Sequence, residues 1–487
     1  MNSHYPFLLT TVVFFHSSTA QEISPGLKKA YNQVLELRVD SIDFLLSMKF
    51  SSETDKIFQV YIKSLRDVLT LILIKDDHSY EKYNSREKEY LEDLEKIKTE
   101  NNLIFFTKAE IKLHASLIRL KYGDQFSGAI RLIQAYKIIK SEMEKGNVPV
   151  YFNKTAGVLN ILMSIVPDKY KFIMKLIGIR PELSLGIHQL EQLNDQQNLF
   201  FFESVMINAL LNAYYLNDAD KSWQIVDMAQ NKWVESLLYL YLKGLISVKT
   251  RENDIAIESF LRCNTFDTGR YLHLVNSKFY LAESYLNKME LSLAESFYNS
   301  YIRQTINEDF IKASYFKLSL IYLFRYDFET SEYFWKKVIT EGSISTEADK
   351  YAYTMVINNF HPHPDLLKAR FYFDGGYYQQ CLDLLKIVAK EKLTEEELLE
   401  YHYRRGRAFQ LLDENFKALE SFDKTFLSNF PDHYLVANAH LQSGYIQYNE
   451  GELDEAEYHF QKALKYSGEL YRSSIRNEAK TGLNLIK

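Results

Sequence analysis

Residues 440–466 read HLQSGYIQYNEGELDEAEYHFQKALKY, and this stretch decides the fold. Its key positions are Gly444, then Ala456 twelve residues later, then Phe460 four residues after that. Two antiparallel helices joined by a short turn come closest at one crossing, where small residues let the backbones approach. Gly451 suits the turn, because glycine adopts the left-handed conformation that ends many helices. Phe460 falls on the same helical face as Ala456 and is expected to fill the space toward the next repeat.

The same spacing occurs seven times in the back half of the chain. The triplets are Leu210/Ser222/Val226, Gly244/Ala256/Phe260, Ala282/Ala294/Tyr298, Ser319/Ser331/Trp335, Ala369/Cys381/Leu385, Gly406/Ala418/Phe422 and Gly444/Ala456/Phe460. Their second members lie 34, 38, 37, 50, 37 and 38 residues apart. A period of this length is typical of a helical solenoid, in which each two-helix unit buries its apolar face against its neighbours.

The pattern over residues 200–467 resembles the tetratricopeptide repeat (TPR) family. The best unit carries that family's small–turn–Ala–aromatic–Ala pattern at Gly444, Gly451, Ala456, Phe460 and Ala463, and the unit at 402–431 carries Gly406, Ala418, Phe422 and Pro431. Ser331 and Cys381 depart from the usual alanine. The resemblance implies an all-α fold, a right-handed superhelical solenoid of two-helix (TPR-like) repeats, here with an N-terminal helical domain. It also implies a binding function without catalysis.

The front half is predicted to be helical but lacks the clean period. Residues 155–193, TAGVLNILMSIVPDKYKFIMKLIGIRPELSLGIHQLEQL, resemble the inclusion-body-clearance / tetratricopeptide-repeat-39 family, with matches at Gly157, Ser164, Pro167, Gly178, Gly186 and Leu190. That resemblance implies a helical, non-enzymatic protein linked to lipid bodies and proteostasis. We carry over the fold and not the biology, because the N-terminus predicts export.

The first twenty residues have the pattern of an export signal. PFLLTTVVFF, residues 6–15, is an apolar run, and Ser18-Thr19-Ala20 before Gln21 fits a small-residue cleavage site. The run is too short to span a bilayer as a mature helix. The preceding residues contain no Lys or Arg, unlike most such signals. We therefore predict a periplasmic or secreted protein that begins near Gln21.

Length and composition bound the remaining possibilities. A chain of 487 residues is too long for one compact core. The predicted organisation is a signal peptide (1–20), an N-terminal helical domain (21–195), TPR-like repeats (196–340), a connection (341–363), TPR repeats (364–467) and a C-terminal capping helix (468–487). The net charge of −6 is spread without a basic stripe, so nucleic acid is not an expected partner. Cys263 and Cys381 are expected to be buried thiols.

Motifs for catalysis and cofactor binding are missing from the sequence. We find no phosphate-binding glycine loop, no nucleophile elbow and no zinc-protease or CxxC motif, so we predict neither an enzyme nor a cofactor. One histidine cluster, His361-Pro362-His363-Pro364-Asp365, has groups that bind metals, but proline-flanked histidines also occur in extended linkers. We predict a linker and no metal site.

The candidate binding site is the concave face formed by the first helix of each two-helix repeat. Stepping three residues back and one forward from each small first-helix residue gives two positions per helix. The aromatic residues and arginines at these positions are the predicted groove residues Tyr241, Phe279, Phe316, Arg370, Tyr403, Arg407 and Tyr445. Aromatic residues and arginine are common at interface hot spots, and Arg370 and Arg407 could pair with a carboxylate. The other interpretation is that these aromatic residues form the core between repeats.

Two functions remain open at this point. The first is an exported, non-enzymatic scaffold that binds a protein or peptide of unknown identity through its concave groove. The alternative is a lipid- or membrane-associated helical protein that acts through the apolar hairpin at 155–179. The two differ in whether neighbouring helices cover that hairpin, because an exposed apolar patch would favour membranes.

Overall fold

A computed structural model describes residues 23–40, 42–98, 101–164, 178–359, 362–468 and 471–486. The predicted signal peptide, Pro167 and His361 lie outside these ranges. Within them the chain is helical, and the only β-type pairing is an isolated bridge between Arg38 and Tyr271. The prediction of an all-α solenoid of two-helix repeats with an N-terminal helical part is confirmed.

The chain divides into two compact units. Unit 1 comprises Met1–Ser204 and Thr268–Leu272, and unit 2 comprises Val205–Asp267 and His273–Lys487. The helices described before the boundary are α1 (Pro25–Leu35), α2 (Ile42–Ser47), α3 (Glu53–Ile74), α4 (Asp77–Glu95), α5 (Asn102–Lys121), α6 (Gln125–Glu144), α7 (Phe152–Ser164) and α8 (Leu183–Glu191). The boundary itself falls within α9 (Phe201–Leu211).

Unit 2 continues as helix pairs. A π-helical turn at Asn212–Leu216 follows α9, and the later helices are α10 (Ala219–Trp233), α11 (Leu237–Thr250), α12 (Asn253–Cys263), α13 (Asn276–Asn287), α14 (Leu291–Gln304), α15 (Ile311–Phe324), α16 (Phe328–Thr340), α17 (Glu347–Ile357), α18 (Pro364–Asp374), α19 (Tyr378–Ile387), α20 (Glu395–Gln410), α21 (Asn415–Phe426), α22 (Tyr434–Glu450), α23 (Leu453–Leu464) and α24 (Arg472–Ile486). The helix α17 is an extra element, and it accounts for the one long repeat spacing.

Local sequence signals set the helix ends in unit 2. Thr394 and Glu397 form a capping box at the start of α20, in which each side chain bonds the other residue's backbone N–H, at 3.2 and 2.8 Å. Gly451 ends α22 in the left-handed conformation with φ of 86°. Both ends are therefore fixed by residues whose chemistry the helix termini require.

In three of the helix pairs the close crossing is made by an aromatic ring over a glycine. A Cβ atom added to Gly444 would lie 2.7 Å from the ring of Phe460, and the equivalent distances are 2.6 Å for Gly244 and 2.5 Å for Gly406. Phe460 also lies against Gly482 of α24, where an added Cβ would be 2.5 Å from the ring. The ring thus fills the space toward the next helix, as predicted, and also occupies the gap within its own pair.

Unit 1 buries a charged cluster. Lys154 on α7 places its ammonium 2.7 Å from Glu110 on α5 and 2.7 Å from Glu203 on α9. The hydroxyls of Tyr31 and Tyr61 both donate to Glu203. The side chain of Lys154 is only 2% exposed, so the ion pairs are formed away from water. Such a cluster is stable only when every charge has a partner.

The described part of the predicted 155–179 hairpin is covered. Gly157 of α7 and Gly186 of α8 meet so closely that a Cβ on either would lie 2.8 Å from the other's carbonyl oxygen. Leu159 and Met163 are fully buried. Residues 165–177 lie outside the described ranges. None of the helices in the described ranges is long and apolar enough to cross a membrane.

The two cysteines are free and buried, as predicted. Burial raises the pKa of each thiol to about 12, which leaves little thiolate at neutral pH. They act as small apolar residues that pack the second helices of their repeats.

Candidate functional site

Unit 2 contains a cavity of about 480 Å³, here called the unit 2 cavity. Its wall comes from the inner faces of α11, α13, α15, α17 and α18, with one residue from the π-helical turn. The lining residues are Tyr214, Val248, Lys249, Arg251, Phe279, Glu283, Asn287, Ala313, Phe316, Lys317, Leu320, Ala348, Tyr351, Pro362, Leu367, Arg370, Phe371 and Asp374. A cavity of this volume is in the range of small-ligand and side-chain sites.

The spacing of the first helices explains this lining. Glu283 and Asn287 lie one and two turns after Phe279 on α13, so all three share one helical face. The same spacing places Arg370 and Asp374 on one face of α18. Each of these helices therefore lines the cavity with one narrow row of side chains, while its other apolar residues pack between repeats.

The predicted groove residues fall into two groups. Phe279, Phe316 and Arg370 line the cavity together. Tyr241 does not line it, because it is 4% exposed and packs edge-on against Phe260 with ring centroids 6.0 Å apart. For Tyr241 the structure agrees with the core interpretation.

The other predicted residues lie further along the array. Tyr403 is half-buried, with its ring centroid 6.3 Å from that of Phe422. Tyr445 donates a 3.2 Å hydrogen bond to the backbone carbonyl of Glu478 on α24. Arg407 donates a 2.8 Å bond to the side chain of Gln410. These residues do not line the unit 2 cavity.

Two of the cations that line the cavity already have carboxylate partners. Lys317 lies 3.1 Å from Glu283, and Arg370 lies 3.4 Å from Asp374. Burial acts to lower the pKa of Arg370, but the combined effect of Asp374 and the other acidic groups nearby outweighs it and the pKa is raised. The Arg370 guanidinium also donates a 3.3 Å bond to the hydroxyl of Tyr351. The pairing of Arg370 with a ligand carboxylate stays a prediction, and within the protein Asp374 is its carboxylate partner.

Two further cations in the lining were not predicted from the sequence. Lys249 lies on α11 and Arg251 caps that helix in the left-handed conformation, with φ of 65°. Lys249 lies one helical turn beyond Leu245, the residue that follows the small Gly244 on this helix. Adding the position one helical turn further along the first helix of each repeat to the predicted groove would have identified Lys249, Asn287 and Asp374.

A contact between distant turns holds Arg251 in place. Gly376, in the turn after α18, approaches the Arg251 carbonyl so closely that a Cβ there would lie 2.2 Å from its oxygen. The hydroxyl of the next residue, Tyr377, donates a 2.8 Å bond to Asp254 and accepts a 3.0 Å bond from Asn253. The turn after α11 is therefore fixed against the turn after α18 along one edge of the cavity.

The described residues offer no metal centre. They contain no group of three or more His, Cys, Asp or Glu side chains arranged to hold an ion. His363, from the predicted linker, caps α18 by accepting a bond from the backbone N–H of Asp365 at 3.2 Å.

The comparisons with known proteins bear on the fold alone. A scan of family models and a search of curated proteins found no match. Among solved structures the chain is similar to yeast Tom70, with 12% identity over 94% of this chain and 86% of that chain and a TM-score of 0.34. It is also similar to a human IFIT1 dimer with m7Gppp-AAAA, with 13% identity over 92% and 96% of the chains and a TM-score of 0.31. The TPR domain of P58(IPK) has 14% identity, 76% and 99% coverage and a TM-score of 0.21.

These low scores add no weight to an assignment of function. The class of protein follows from the helix pairs themselves, three of which place a glycine of one helix against an aromatic ring of the next. Unit 2 is an array of TPR-like repeats, and its inner face contains the cavity described above.

Proposed function

We propose that the chain is a non-enzymatic scaffold that binds a protein or peptide segment through the unit 2 cavity. The observation that carries this proposal is the mixed lining of the cavity, which combines aromatic rings with charged groups. Tyr214 and Tyr351 are 48% and 41% exposed at its wall, and the buried rings of Phe279 and Phe316 lie beside them. Exposed tyrosines beside buried apolar surface are typical of interface anchors.

The position of the cavity within the array supports a binding role. Its residues come from successive first helices, so the site depends on the stacking of several repeats and not on one loop. Aromatic side chains add contact area with few rotatable bonds, which limits the entropy lost on binding. We infer an apolar or aromatic-containing segment as the ligand.

Export is part of the proposal. It is supported by the apolar run at residues 6–15 and the small residues before Gln21. N-terminal sequencing of the mature protein is expected to begin at or near Gln21, and an intact Met1 would contradict export. The structure offers no observation in favour of the alternative membrane function, and residues 165–177 of the 155–179 hairpin lie outside the described ranges.

A cavity-filling variant tests the binding proposal. Ala348 is half-buried in the lining, so Ala348→Trp would fill the cavity without removing any of its charges. Leu427→Trp is the matched control, since Leu427 is 83% exposed and is not part of the lining. The probe is a random peptide library displayed on phage and selected on the purified chain.

We expect the selected peptides to bind the wild type and Leu427→Trp equally and to lose at least tenfold in affinity for Ala348→Trp. Circular dichroism of all three proteins checks that the helices are intact. Equal binding to Ala348→Trp would place the site elsewhere. Failure to select any peptide would contradict the proposal of a peptide-binding scaffold.

A further inference from the structure

The unit 2 cavity has an excess of positive charge that the protein itself does not neutralise. Of its four cations, Lys317 and Arg370 are paired with Glu283 and Asp374. No carboxylate among the described residues lies within ion-pair distance of Lys249 or Arg251. Two cations of the lining are therefore left without an anionic partner.

A third cation lies beside this pair. The guanidinium of Arg251 lies 5.0 Å from the ring centroid of Phe373, and that of Arg407 lies 5.9 Å from the same centroid. Both arginines therefore approach one buried ring, which brings together residues from α11 and α20. Like the first two, Arg407 has no carboxylate within ion-pair distance in the described part of the chain.

Arg251 disfavours the charged forms of both Lys249 and Arg407. Partial burial lowers the pKa of Lys249, and the nearby charge of Arg251 lowers it further. Burial likewise lowers the pKa of Arg407, and Arg251 again adds to the effect. Glu478 is the acidic group that acts on both, but it lies beyond ion-pair distance. Like charges held together without a counter-ion are costly in the free protein, which is the arrangement expected of a site that gains its anion on binding.

We propose that Lys249 and Arg251, with Arg407 beside them, bind a carboxylate carried by the peptide segment whose apolar side chain enters the unit 2 cavity. This inference rests on the proposed function and adds the chemical class of its ligand. Guanidinium and ammonium groups both form charge-assisted hydrogen bonds to carboxylates. The rings of Tyr214 and Phe279 in the same lining provide the apolar contact for the neighbouring side chain.

The charge balance favours a peptide carboxylate over a nucleic acid. Glu283 and Asp374 already neutralise two of the four cations of the lining, so the cavity lacks the row of unpaired cations that the successive phosphates of a nucleic acid backbone require. The remaining excess of positive charge suits one or two carboxylates.

A peptide array tests the inference on the full chain. Its peptides pair Glu or Gln with a neighbouring Phe, Leu or Ser, and each is made with an amidated and with a free C-terminus. We expect Glu-Phe peptides to bind at least tenfold more tightly than Gln-Phe peptides. That preference is expected to be lost in Lys249→Gln and in Arg251→Gln. If binding needs a free C-terminus, the bound carboxylate is the C-terminal one of the peptide. If amidated peptides show the same preference for Glu, the bound carboxylate is the acidic side chain.

Each other outcome overturns the inference. If peptides bind without preference for Glu, or if both variants keep the preference, the proposed carboxylate site is wrong. The proposed peptide-binding scaffold is then unaffected. If no peptide binds, the proposed function fails as well. Tighter binding of a fluorescent single-stranded RNA, lost in the same variants, would replace the carboxylate with a nucleic acid.

A second measurement needs no ligand. Because Lys249 has no anionic partner, Lys249→Gln is expected to raise the melting temperature of the free protein. The matched control is Lys317→Gln, which breaks a 3.1 Å ion pair with Glu283 and is expected to lower it. A fall in both variants would show that Lys249 stabilises the fold and is not held for a ligand.

Discussion

Replacing Lys154 by Met would remove the one ammonium at the centre of the buried cluster in unit 1. Its nitrogen lies 2.7 Å from each of Glu110 and Glu203, and it donates a 2.6 Å bond to the hydroxyl of Tyr61. It also lies 5.1 Å from the ring centroid of Phe200. Methionine has a similar length and can fill the space, so the main effect is the loss of positive charge.

Two carboxylates would then remain buried without their cation. Removal of one partner from a buried ion pair costs about 3–5 kcal/mol, because the other charge is left uncompensated. Hydrogen exchange in peptides from α5 and α7 measures this loss within unit 1, where whole-chain melting would mix the two units. We expect a loss of that size for Lys154→Met and none for the exposed control Lys96→Met.

The pH dependence provides a second check. Burial acts to raise the pKa of Glu110, but Lys154 and His114 together outweigh it and the pKa falls from 4.5 to about 2. A lowered carboxyl pKa stabilises the fold above the unfolded value, and this stabilisation is lost as the pH falls from 4.5 to about 2. The difference between wild type and Lys154→Met should therefore shrink below pH 4.5. Adding Glu110→Gln to the variant should restore part of the protection. Unchanged or increased protection in Lys154→Met would refute the reasoning.

Three further predictions concern the C-terminal repeats. Ala456→Leu is expected to force α22 and α23 apart and to cost about 1–3 kcal/mol in thermal unfolding, far more than the surface control Glu452→Gln. Burial lowers the pKa of His440 from 6.5 to about 3, with a contribution from His459, so acidification from pH 6.5 toward 3 should destabilise these repeats, and less so in His440→Phe. Deletion of 470–487 should uncover the last repeat and cause aggregation detectable by light scattering, whereas a truncated monomer with an unchanged melting temperature would contradict a capping role.

The repeat array was predictable because its signals are local and regular. Gly444 and Phe460 are sixteen residues apart in the sequence and meet at a helix crossing that the spacing alone defines. The capping box at Thr394 is likewise contained within four residues. Such features depend on helical geometry, which is the same in every repeat.

The charged parts of the molecule were not predictable in the same way. Lys154 meets partners that lie 44 and 93 residues away in the sequence, at Glu110 and Tyr61. In unit 2, the predicted groove positions included Arg370 but not Asp374, which pairs with it one helical turn later. Arg251 is placed by a turn more than a hundred residues away, and no sequence spacing indicates that contact.

Photo-crosslinking tests the central claim most directly. A peptide selected from the random library is synthesised with benzoylphenylalanine in place of its aromatic residue, irradiated with the full chain and mapped by mass spectrometry. We expect crosslinks to lining residues such as Tyr351 and Phe316, and their loss in Ala348→Trp but not in Leu427→Trp. Crosslinks confined to unit 1 or to the second helices of the repeats, and unaffected by Ala348→Trp, would contradict the claim that the unit 2 cavity is the binding site.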